Sequence, residues 1–327
     1  MKALIIAAVI GSTFTFSCCT KSGGTGMPPE PEKPQPPVVS IPSTNYDITR
    51  LDNCLLFEKD PETADILRQD YNELSGIAAS ITNPGILYMH NDNKNEPIVI
   101  TNATGADLGK IILDGVTMLN PEDISVGPGP VSGKNYIYYA DIGDNKYTRA
   151  NVVVYRFEEP VLSNPGATTE IHIAKPDAIV LKYSGYSYNA ETVLVDPLTK
   201  AIYLATKEKG RSTIYKAVYP QSLTETITMT PVLKTPFDLL TSGDISANGK
   251  EILLRNKGQI WYWTRATGAS IEDALAKAPQ IAPYSGNEHQ GEGVGFAADG
   301  SGYFTNTEIR DYPGSVSRLS FYRRKKN

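Results

Sequence analysis

The sequence predicts an all-β protein built as a β-propeller, and three observations lead to this fold class. From about residue 45 onwards, the chain is rich in Val, Ile, Tyr and Thr and is interrupted by Gly, Pro, Asn and Asp, which is typical of strands and turns. A hairpin in which a polar residue precedes an apolar strand, a turn and a second strand occurs five times. The first strands begin 47, 69, 52 and 49 residues apart, close to the repeat of four-stranded propeller blades.

The five hairpins align on their apolar strands. The first strands are Ser75–Ala79, Glu122–Val126, Glu191–Val195, Gly243–Ala247 and Glu292–Phe296. The second strands are Ile86–His90, Tyr136–Ala140, Ala201–Ala205, Glu251–Arg255 and Gly302–Thr305. A third and a fourth strand can be placed in most of the units. An open β-sandwich is the alternative architecture, but sandwiches lack such an internal repeat.

The number of blades and the closure of the ring follow from the chain lengths. Five blades are counted directly, and a sixth is open if the 69-residue interval or the N-terminal segment contains a degenerate unit. After Glu292 the chain is long enough for only about three strands. We therefore expect residues 45–71 to supply the missing strand and to close the ring, which removes exposed sheet edges. Short helices are predicted over residues 61–69 and 271–278.

The N-terminal residues are typical of an exported, anchored protein. Residues 1–18 combine Lys2 with an apolar run and read as a signal peptide. Ser17 and Cys18 resemble the relaxed cleavage box of bacterial lipoproteins, which predicts lipidation of Cys18, with Cys19 as the second choice. An ordinary signal peptide or an uncleaved anchor is the alternative. Residues 19–44 are rich in Gly, Ser and Pro and predict a linker. Residues 45–327 form the propeller domain, tethered to a membrane of the cell envelope on either its periplasmic or its surface face.

Composition limits the classes of partner. The chain has 327 residues, 40% of them hydrophobic, and a formal net charge of −5, as expected for a folded domain rather than a disordered one. A pI near 5.4 without a basic stripe argues against nucleic acid as a partner. Cys54 is the only cysteine after residue 19, so no disulfide framework is predicted. We expect a monomer.

Antiparallel geometry places the start of each first strand beside the end of its second strand, so these positions should meet at one mouth of the central channel. The candidate residues there are Glu73, His90, Asp92, Glu122, Asp123, Asp141, Asp144, Glu191, Lys207, Asp244, Arg255, Glu292 and Glu308. Most are carboxylates, which suit a hard cation such as Ca²⁺ or a polyhydroxylated ligand. Crowded carboxylates also raise one another's pKa, which permits acid–base chemistry.

Glu122, Asp141 and Asp144 form the most specific candidate group, and we expect them to bind Ca²⁺. The structural alternative is that polar residues hold neighbouring blades together, with Glu191–Lys207 and Asp244–Arg255 as cross-strand ion pairs. The three histidines have no metal-ligand spacing, so a zinc hydrolase is not indicated. No G-x-S-x-G motif is present, and nothing singles out a Ser/His/Asp triad.

The domain resembles a family of exported bacterial β-propellers without an agreed activity. The resemblance lies in motifs such as Glu73-Leu-Ser-Gly-Ile, Glu122-Asp-Ile-Ser-Val-Gly-Pro-Gly, Asp141-Ile-Gly-Asp-Asn and Gln290-Gly-Glu-Gly-Val-Gly-Phe. It covers residues 73–308 and implies a propeller fold. The chain is more distantly similar to phytase-like and gluconolactonase-like propellers, some of which bind Ca²⁺ and cleave phosphate or lactone esters. Their ligand sets do not map onto this chain, so no catalytic role is transferred.

Three functions remain open from the sequence. The first is a membrane-tethered binding module whose acidic funnel captures a small-molecule or glycan ligand, with or without Ca²⁺. The second is a metal-dependent hydrolase or lyase that uses Glu122, Asp141 or Glu292 as acid or base. The third is a protein-interaction scaffold, as repeat folds often are.

Overall fold

Five sheets, whose strands are mainly antiparallel, make up the fold in the computed structural model, which describes residues 40–44, 46–67, 71–286 and 288–326. The predicted signal peptide, Cys18 and residues 19–39 of the linker lie outside the described residues. All the elements described below belong to the unit Ile41–Asn327.

In chain order the strands are β1 (Glu62–Asp65), β2 (Leu74–Ala79), β3 (Ile86–Asn91), β4 (Ile98–Asn102), β5 (Lys110–Leu113), β6 (Pro121–Pro128), β7 (Asn135–Asp141), β8 (Val152–Glu158), β9 (Glu170–Ile173), β10 (Asp177–Lys182), β11 (Ala190–Val195), β12 (Ile202–Thr206), β13 (Ser212–Ala217), β14 (Ile227–Thr228), β15 (Thr230–Thr235), β16 (Ser242–Ile245), β17 (Glu251–Asn256), β18 (Gln259–Thr264), β19 (Gln280–Ile281), β20 (Gln290–Phe296), β21 (Gly302–Glu308) and β22 (Arg318–Arg323). A 3-10 turn, Ile48–Arg50, precedes them, and one α-helix, α1 (Ile271–Leu275), lies between β18 and β19.

Each sheet is one propeller blade. Blade 1 is β2-β3-β4-β5, blade 2 is β6-β7-β8-β10, blade 3 is β11-β12-β13-β15, and blade 4 is β16-β17-β18-β19. Blade 5 is β20-β21-β22-β1. The first strands β2, β6, β11, β16 and β20 each contact the next around the ring, and β20 contacts β2 again. The predicted five-bladed propeller is therefore confirmed, and no described segment forms a sixth blade or a two-layer sandwich.

The N-terminal strand closes the ring, as predicted. β1 pairs antiparallel with β22, with Ala64 opposite Leu319, so the first strand of the chain completes the last blade. The prediction of a helix over residues 61–69 is wrong, because residues 62–65 form β1. Pairing with the open edge of β22 outweighs a local helix preference in so short a segment. The second predicted helix is present but shorter, and Ser270 and Asp273 form a capping box at its start.

The outer edge of blades 1–4 is covered by another segment. β9, in the long interval between the second and third hairpins, pairs in parallel with β5 of blade 1. β14, between β13 and β15 of blade 3, pairs in parallel with β10 of blade 2. The segment before β1 bridges the outer strands of blades 3 and 4, at Ser43–Lys234 and Asn53–Ile281. It then reaches blade 5 at Phe57–Arg324. Covered edges cannot pair with strands of other molecules.

Apolar side chains on both faces of the sheets fill the spaces between the blades. Tyr138 and Tyr215 are buried between blades 2 and 3, and Trp261 and Phe237 lie close together in the core of blades 3 and 4. Near the channel, the inner strands approach so closely that glycine is required. A Cβ on Gly76 would lie 2.6 Å from Asp123 Oδ1, and one on Gly293 would lie 2.5 Å from the Ser75 carbonyl oxygen.

Ring closure through β1 can be tested with proline. Ile66 N donates to Ser317 O at 2.8 Å. Because hydrogen-bonded and non-bonded pairs alternate along an antiparallel ladder, the N–H of Ala64 points towards Leu319 on β22, whereas the N–H of Thr63 points away from β22. Ala64→Pro removes a ladder bond and leaves a carbonyl unpaired. We expect it to lower the free energy of unfolding in urea by about 1–3 kcal/mol. Thr63→Pro is the matched control and should change it far less; equal losses would contradict the pairing.

Candidate functional site

A cavity of about 200 Å³ opens at one mouth of the central channel, and we call it the funnel. Its lining residues come from all five blades. They are Glu73, Leu74, Ser75, Asp92, Glu122, Asn145, Glu191, Lys207, Lys257, Glu292, Glu308 and Arg310. At the other end, between Ala78, Val126 and Phe296, the free space is only about 20 Å³. The cavity at the mouth that contains the carboxylates is therefore much larger than the one at the other end.

Irregular strand starts direct the glutamates into the funnel. The pairing register shifts between Pro121 and Asp123, between Ala190 and Thr192, and between Gly291 and Val294. Each shift lies at a glutamate of the funnel, namely Glu122, Glu191 and Glu292. A β-bulge turns a side chain away from the regular alternation, so the same local irregularity recurs on three inner strands where a carboxylate faces the axis.

Six carboxylates and three cations face one another in the funnel. Lys207 pairs with Glu191. Lys257 Nζ lies 2.9 Å from Glu292 Oε1 and 4.0 Å from Glu308 Oε2. Arg310 bridges two blades, with its guanidinium 3.2 Å from Glu73 Oε2 and 3.0 Å from Glu308 Oε1. The lining therefore offers both hydrogen-bond donors and acceptors within a small volume.

Glu122 differs from the other funnel glutamates because no ion pair joins it to another described residue. Its side chain is buried, and its Oε1 accepts a hydrogen bond from Asn120 Nδ2 at 2.7 Å. Burial, together with the charges of Glu191 and Asp92, raises the pKa of Glu122 well above its usual value. Its carboxyl group is therefore easier to protonate than that of an ordinary glutamate, and it can donate a hydrogen bond whenever it is protonated.

Other funnel carboxyls are also easier to protonate than usual. Burial and a hydrogen bond to Glu73 raise the pKa of Asp92 to about 8. Burial raises the pKa of Glu191 to about 7, against the opposing charge of Lys207. Burial and the neighbouring Glu292 raise the pKa of Glu308. With Asp92 largely protonated at pH 7, at most five carboxylates face the three cations. The raised pKa values of Glu122, Glu191 and Glu308 reduce this negative charge further.

Seven of the predicted residues meet in the funnel and six do not. Those that meet are Glu73, Asp92, Glu122, Glu191, Lys207, Glu292 and Glu308. Those that lie elsewhere are His90, Asp123, Asp141, Asp144, Asp244 and Arg255. Each of these six has a defined structural partner.

Asp123 and Asp244 lie deeper in the channel wall and join neighbouring inner strands. Asp123 accepts from Val193 N at 2.9 Å and from Ser242 Oγ at 3.1 Å. Asp244 accepts from Phe296 N on the next blade at 2.8 Å. Burial raises the pKa of Asp123 well above its usual value and that of Asp244 to about 7. These two carboxyls satisfy backbone N–H groups that no ladder pairs.

His90 and Arg255 are fully buried behind the funnel. The His90 ring nitrogen Nε2 accepts from Gly76 N at 3.2 Å, and burial lowers the His90 pKa to about 4, so the ring is neutral. Arg255 does not pair with Asp244 as one alternative predicted. Its guanidinium lies 2.9 Å from Glu288 Oε2 and donates to the Gly293 carbonyl at 2.9 Å.

Asp141 and Asp144 build a loop and do not fit the predicted calcium site. Asp141 accepts from Leu119 N at 3.1 Å, from Asn120 N at 2.8 Å and from Arg149 Nη1 at 2.9 Å. Asp144 accepts from two backbone N–H groups of the following loop. The positive charge of Arg149, 2.9 Å from Asp141 Oδ1, disfavours a divalent cation at this carboxylate. In the described part of the chain, no group of three or more His, Cys, Asp or Glu residues is arranged to hold a metal ion.

Sequence reasoning missed Lys257, Arg310 and Asn145. Lys257 follows Arg255 by two positions, and Arg310 follows Glu308 by two. Residues two apart on an extended chain face the same side, so continuing the alternation past Glu308 would have found Arg310. Arg255 lies outside the funnel and β17 ends at Asn256, so alternation does not indicate Lys257. Asn145 belongs to the Asp141–Asn145 turn, and the sequence pattern does not indicate that its side chain lines the funnel.

No family model matches the chain, and no curated protein does. Among solved structures, the chain resembles the GH43_1 enzyme from Xanthomonas citri, with 12% identity, 80% of this chain and 89% of that chain covered, and a TM-score of 0.44. The same enzyme complexed with xylose gives the same identity and coverage and a TM-score of 0.46. A putative 6-phosphogluconolactonase from Bacteroides uniformis gives 12% identity, coverage of 76% and 71%, and a TM-score of 0.36. Likeness at this level says nothing about what this chain binds.

The role of Asp123 predicts a loss of stability on its removal. Asp123→Ala leaves Val193 N and Ser242 Oγ without their partner in a buried wall, which should lower the free energy of unfolding by about 2 kcal/mol or more. Asp123→Asn keeps a polar group at the position and should lose less. Urea denaturation followed by tryptophan fluorescence measures both variants. If Asp123→Ala were as stable as the parent protein, the bridging role would be wrong.

Proposed function

We propose that this protein is a binding module whose funnel captures one small polyhydroxylated group, such as a single sugar unit of a carbohydrate. The observation that carries the proposal is the mixed lining of the funnel, in which carboxylates, protonated carboxyls and three cations from all five blades surround about 200 Å³. Each hydroxyl group of a sugar both donates and accepts a hydrogen bond, so it matches a lining that offers both.

The charge balance favours a neutral ligand over a cation. Six ionised carboxylates would attract a cation strongly, but the raised pKa values of Asp92 and Glu122 reduce the negative charge of the funnel. Lys207, Lys257 and Arg310 neutralise much of the rest. The volume also limits the ligand, because pockets for drug-sized molecules measure about 300–1,000 Å³. One sugar unit is a suitable occupant.

The location of the protein forms part of the same proposal. A lipid on Cys18 anchors the chain to a membrane of the cell envelope, and residues 19–44 hold the propeller away from the membrane surface. Among the described residues, no helix is both long and apolar enough to span a bilayer. Replacement of Cys18 by Ala in the full-length protein, followed by membrane fractionation, tests the anchor. Release from the membrane fraction is the expected result.

Binding should weaken at alkaline pH. Asp92 donates a hydrogen bond only while it is protonated, and its pKa of about 8 means that it ionises as the pH rises from 7 to 9. Ionisation removes a donor and adds a negative charge beside Glu73. We expect the affinity for a ligand identified on a glycan array to fall about three- to tenfold over this range, measured by isothermal titration calorimetry.

Asp92→Asn is the matched control, because the amide keeps a donor at every pH and should flatten the pH dependence. The same titration with EDTA tests calcium: a loss of binding that Ca²⁺ restores would reinstate a calcium requirement. Correctly folded protein that binds no saccharide under any of these conditions would overturn the proposal.

A second candidate function is hydrolysis of the bound group. One observation favours it: Glu122, whose pKa burial raises well above its usual value, neighbours Glu191, whose pKa of about 7 leaves it partly ionised at neutral pH. A proton donor beside a proton acceptor is the requirement for general acid–base catalysis.

Hydrolysis predicts that Glu122→Gln abolishes turnover and spares binding. The amide side chain would keep the shape and a hydrogen-bond donor but cannot transfer a proton, so kcat should fall by about 100-fold or more on aryl glycosides or lactones that the parent protein cleaves. Glu308→Gln, in the same funnel, is the control. If the parent protein cleaved neither aryl glycosides nor lactones, or if Glu122→Gln and Glu308→Gln lowered kcat equally, hydrolysis would be ruled out.

A further inference from the structure

Two exposed tyrosines lie in the loops that form the mouth of the funnel. Tyr147 is 58% exposed and Tyr312 is 38% exposed. Each follows a funnel-lining residue by two positions, Asn145 on blade 2 and Arg310 on blade 5. The two loops therefore stand on either side of blade 1, which contributes Glu73 and Asp92 to the funnel.

The backbone holds Tyr147 in a conformation that it would not adopt freely. Its φ of +54° lies in the left-handed region, which is unfavourable for a residue with a large side chain. Three hydrogen bonds fix this turn: Tyr147 N donates to Asp144 O at 2.9 Å, and the Asp144 carboxylate accepts from Thr148 N at 2.9 Å and from Arg149 N at 2.8 Å. Strained residues held by surrounding bonds are frequent at ligand sites.

A buried ion pair supports the same loop from below. Arg149 donates to Asp141 Oδ1 at 2.9 Å and to the Gly143 carbonyl at 2.8 Å. Asp141 is itself fixed by the backbone N–H groups of Leu119 and Asn120. The two aspartates for which the sequence predicts calcium thus hold a rigid loop that exposes an aromatic ring.

The second tyrosine is also fixed in place. The rings of Tyr312 and His289 stack with centroids 4.2 Å apart and planes 17° apart. His289 Nε2 lies 2.9 Å from Ser315 Oγ, which holds the imidazole in that orientation. One face of the Tyr312 ring is covered by His289, and the side chain remains partly exposed to solvent.

We propose that the natural ligand is an oligosaccharide, with one sugar in the funnel and the next sugars stacked on Tyr147 and Tyr312. This inference rests on the proposed binding function and extends it. The funnel is too small for more than one unit, so the rest of a longer ligand must lie outside the mouth, which the loops after Asn145 and Arg310 help to border. Sugar rings present apolar C–H faces, which pack on aromatic side chains whose position is already fixed.

The test compares hexasaccharides with their monosaccharides. Calorimetry with cellohexaose, xylohexaose, mannohexaose and laminarihexaose identifies a binder, and glucose, xylose or mannose serves as the single-sugar reference. For the hexasaccharide that binds, Tyr147→Ala and Tyr312→Ala should each weaken affinity about three- to tenfold. Neither variant should alter the affinity for the monosaccharide.

Two controls separate stacking from unfolding. Tyr147→Phe keeps the ring and should bind as the parent protein does. Val161→Ala changes a side chain that is 78% exposed and lies beyond β8, at the opposite end of blade 2 from the mouth, and should have no effect.

The outcomes distinguish the two proposals. Equal affinity for hexasaccharide and monosaccharide, or tyrosine variants that bind the hexasaccharide normally, would overturn the oligosaccharide inference and leave single-sugar binding in place. If neither form of any of these sugars binds, the oligosaccharide inference falls, and binding at the funnel must then be sought on the wider glycan array.

Discussion

The ring depends on how the backbone of its five inner strands is satisfied along the channel. Each inner strand pairs with its own blade on one side only, so its other edge presents N–H and C=O groups to the next blade. Side chains supply the missing partners: Asp123 binds Val193 N, Asp244 binds Phe296 N, and Asn306 Nδ2 donates to the Ser75 carbonyl at 2.7 Å. Buried polar groups of this kind are costly when unpaired, which explains why polar residues occur in so tightly packed a wall.

This constraint separates two sets of carboxylates that look alike in the sequence. Those on the wall point at backbone N–H groups and are structural. Those at the irregular strand starts, Glu122, Glu191 and Glu292, point at the axis and face other charged groups. Crowding and burial then raise the pKa of several funnel carboxyls, so the site contains proton donors as well as acceptors. The proposed recognition of hydroxyl groups follows from this mixture rather than from negative charge alone.

The loops around the mouth also contain carboxylates that have a structural role. Asp141 and Asp144 are buried and fully engaged with N–H donors, and their function is to hold the segment that carries Asn145 and Tyr147. The Asp141–Asn145 turn, whose residues resemble a cation-binding turn, therefore supports the exposed ring of Tyr147. Aspartate in turns has this second use because its oxygens accept from the backbone two or more residues away.

The sequence by itself determined the repeat, the closing role of the N-terminal segment and seven of the twelve funnel residues, because strand alternation and hairpin geometry are local properties. It left five or six blades open, and the sheet pairing decided for five. The tertiary structure alone decided which carboxylates face the axis. Asp123 and Glu122 are neighbours in sequence, yet a register shift turns one into the wall and the other into the funnel. It also decided that residues 62–65 form a strand and that Arg255 pairs with Glu288, since both depend on partners distant in the chain.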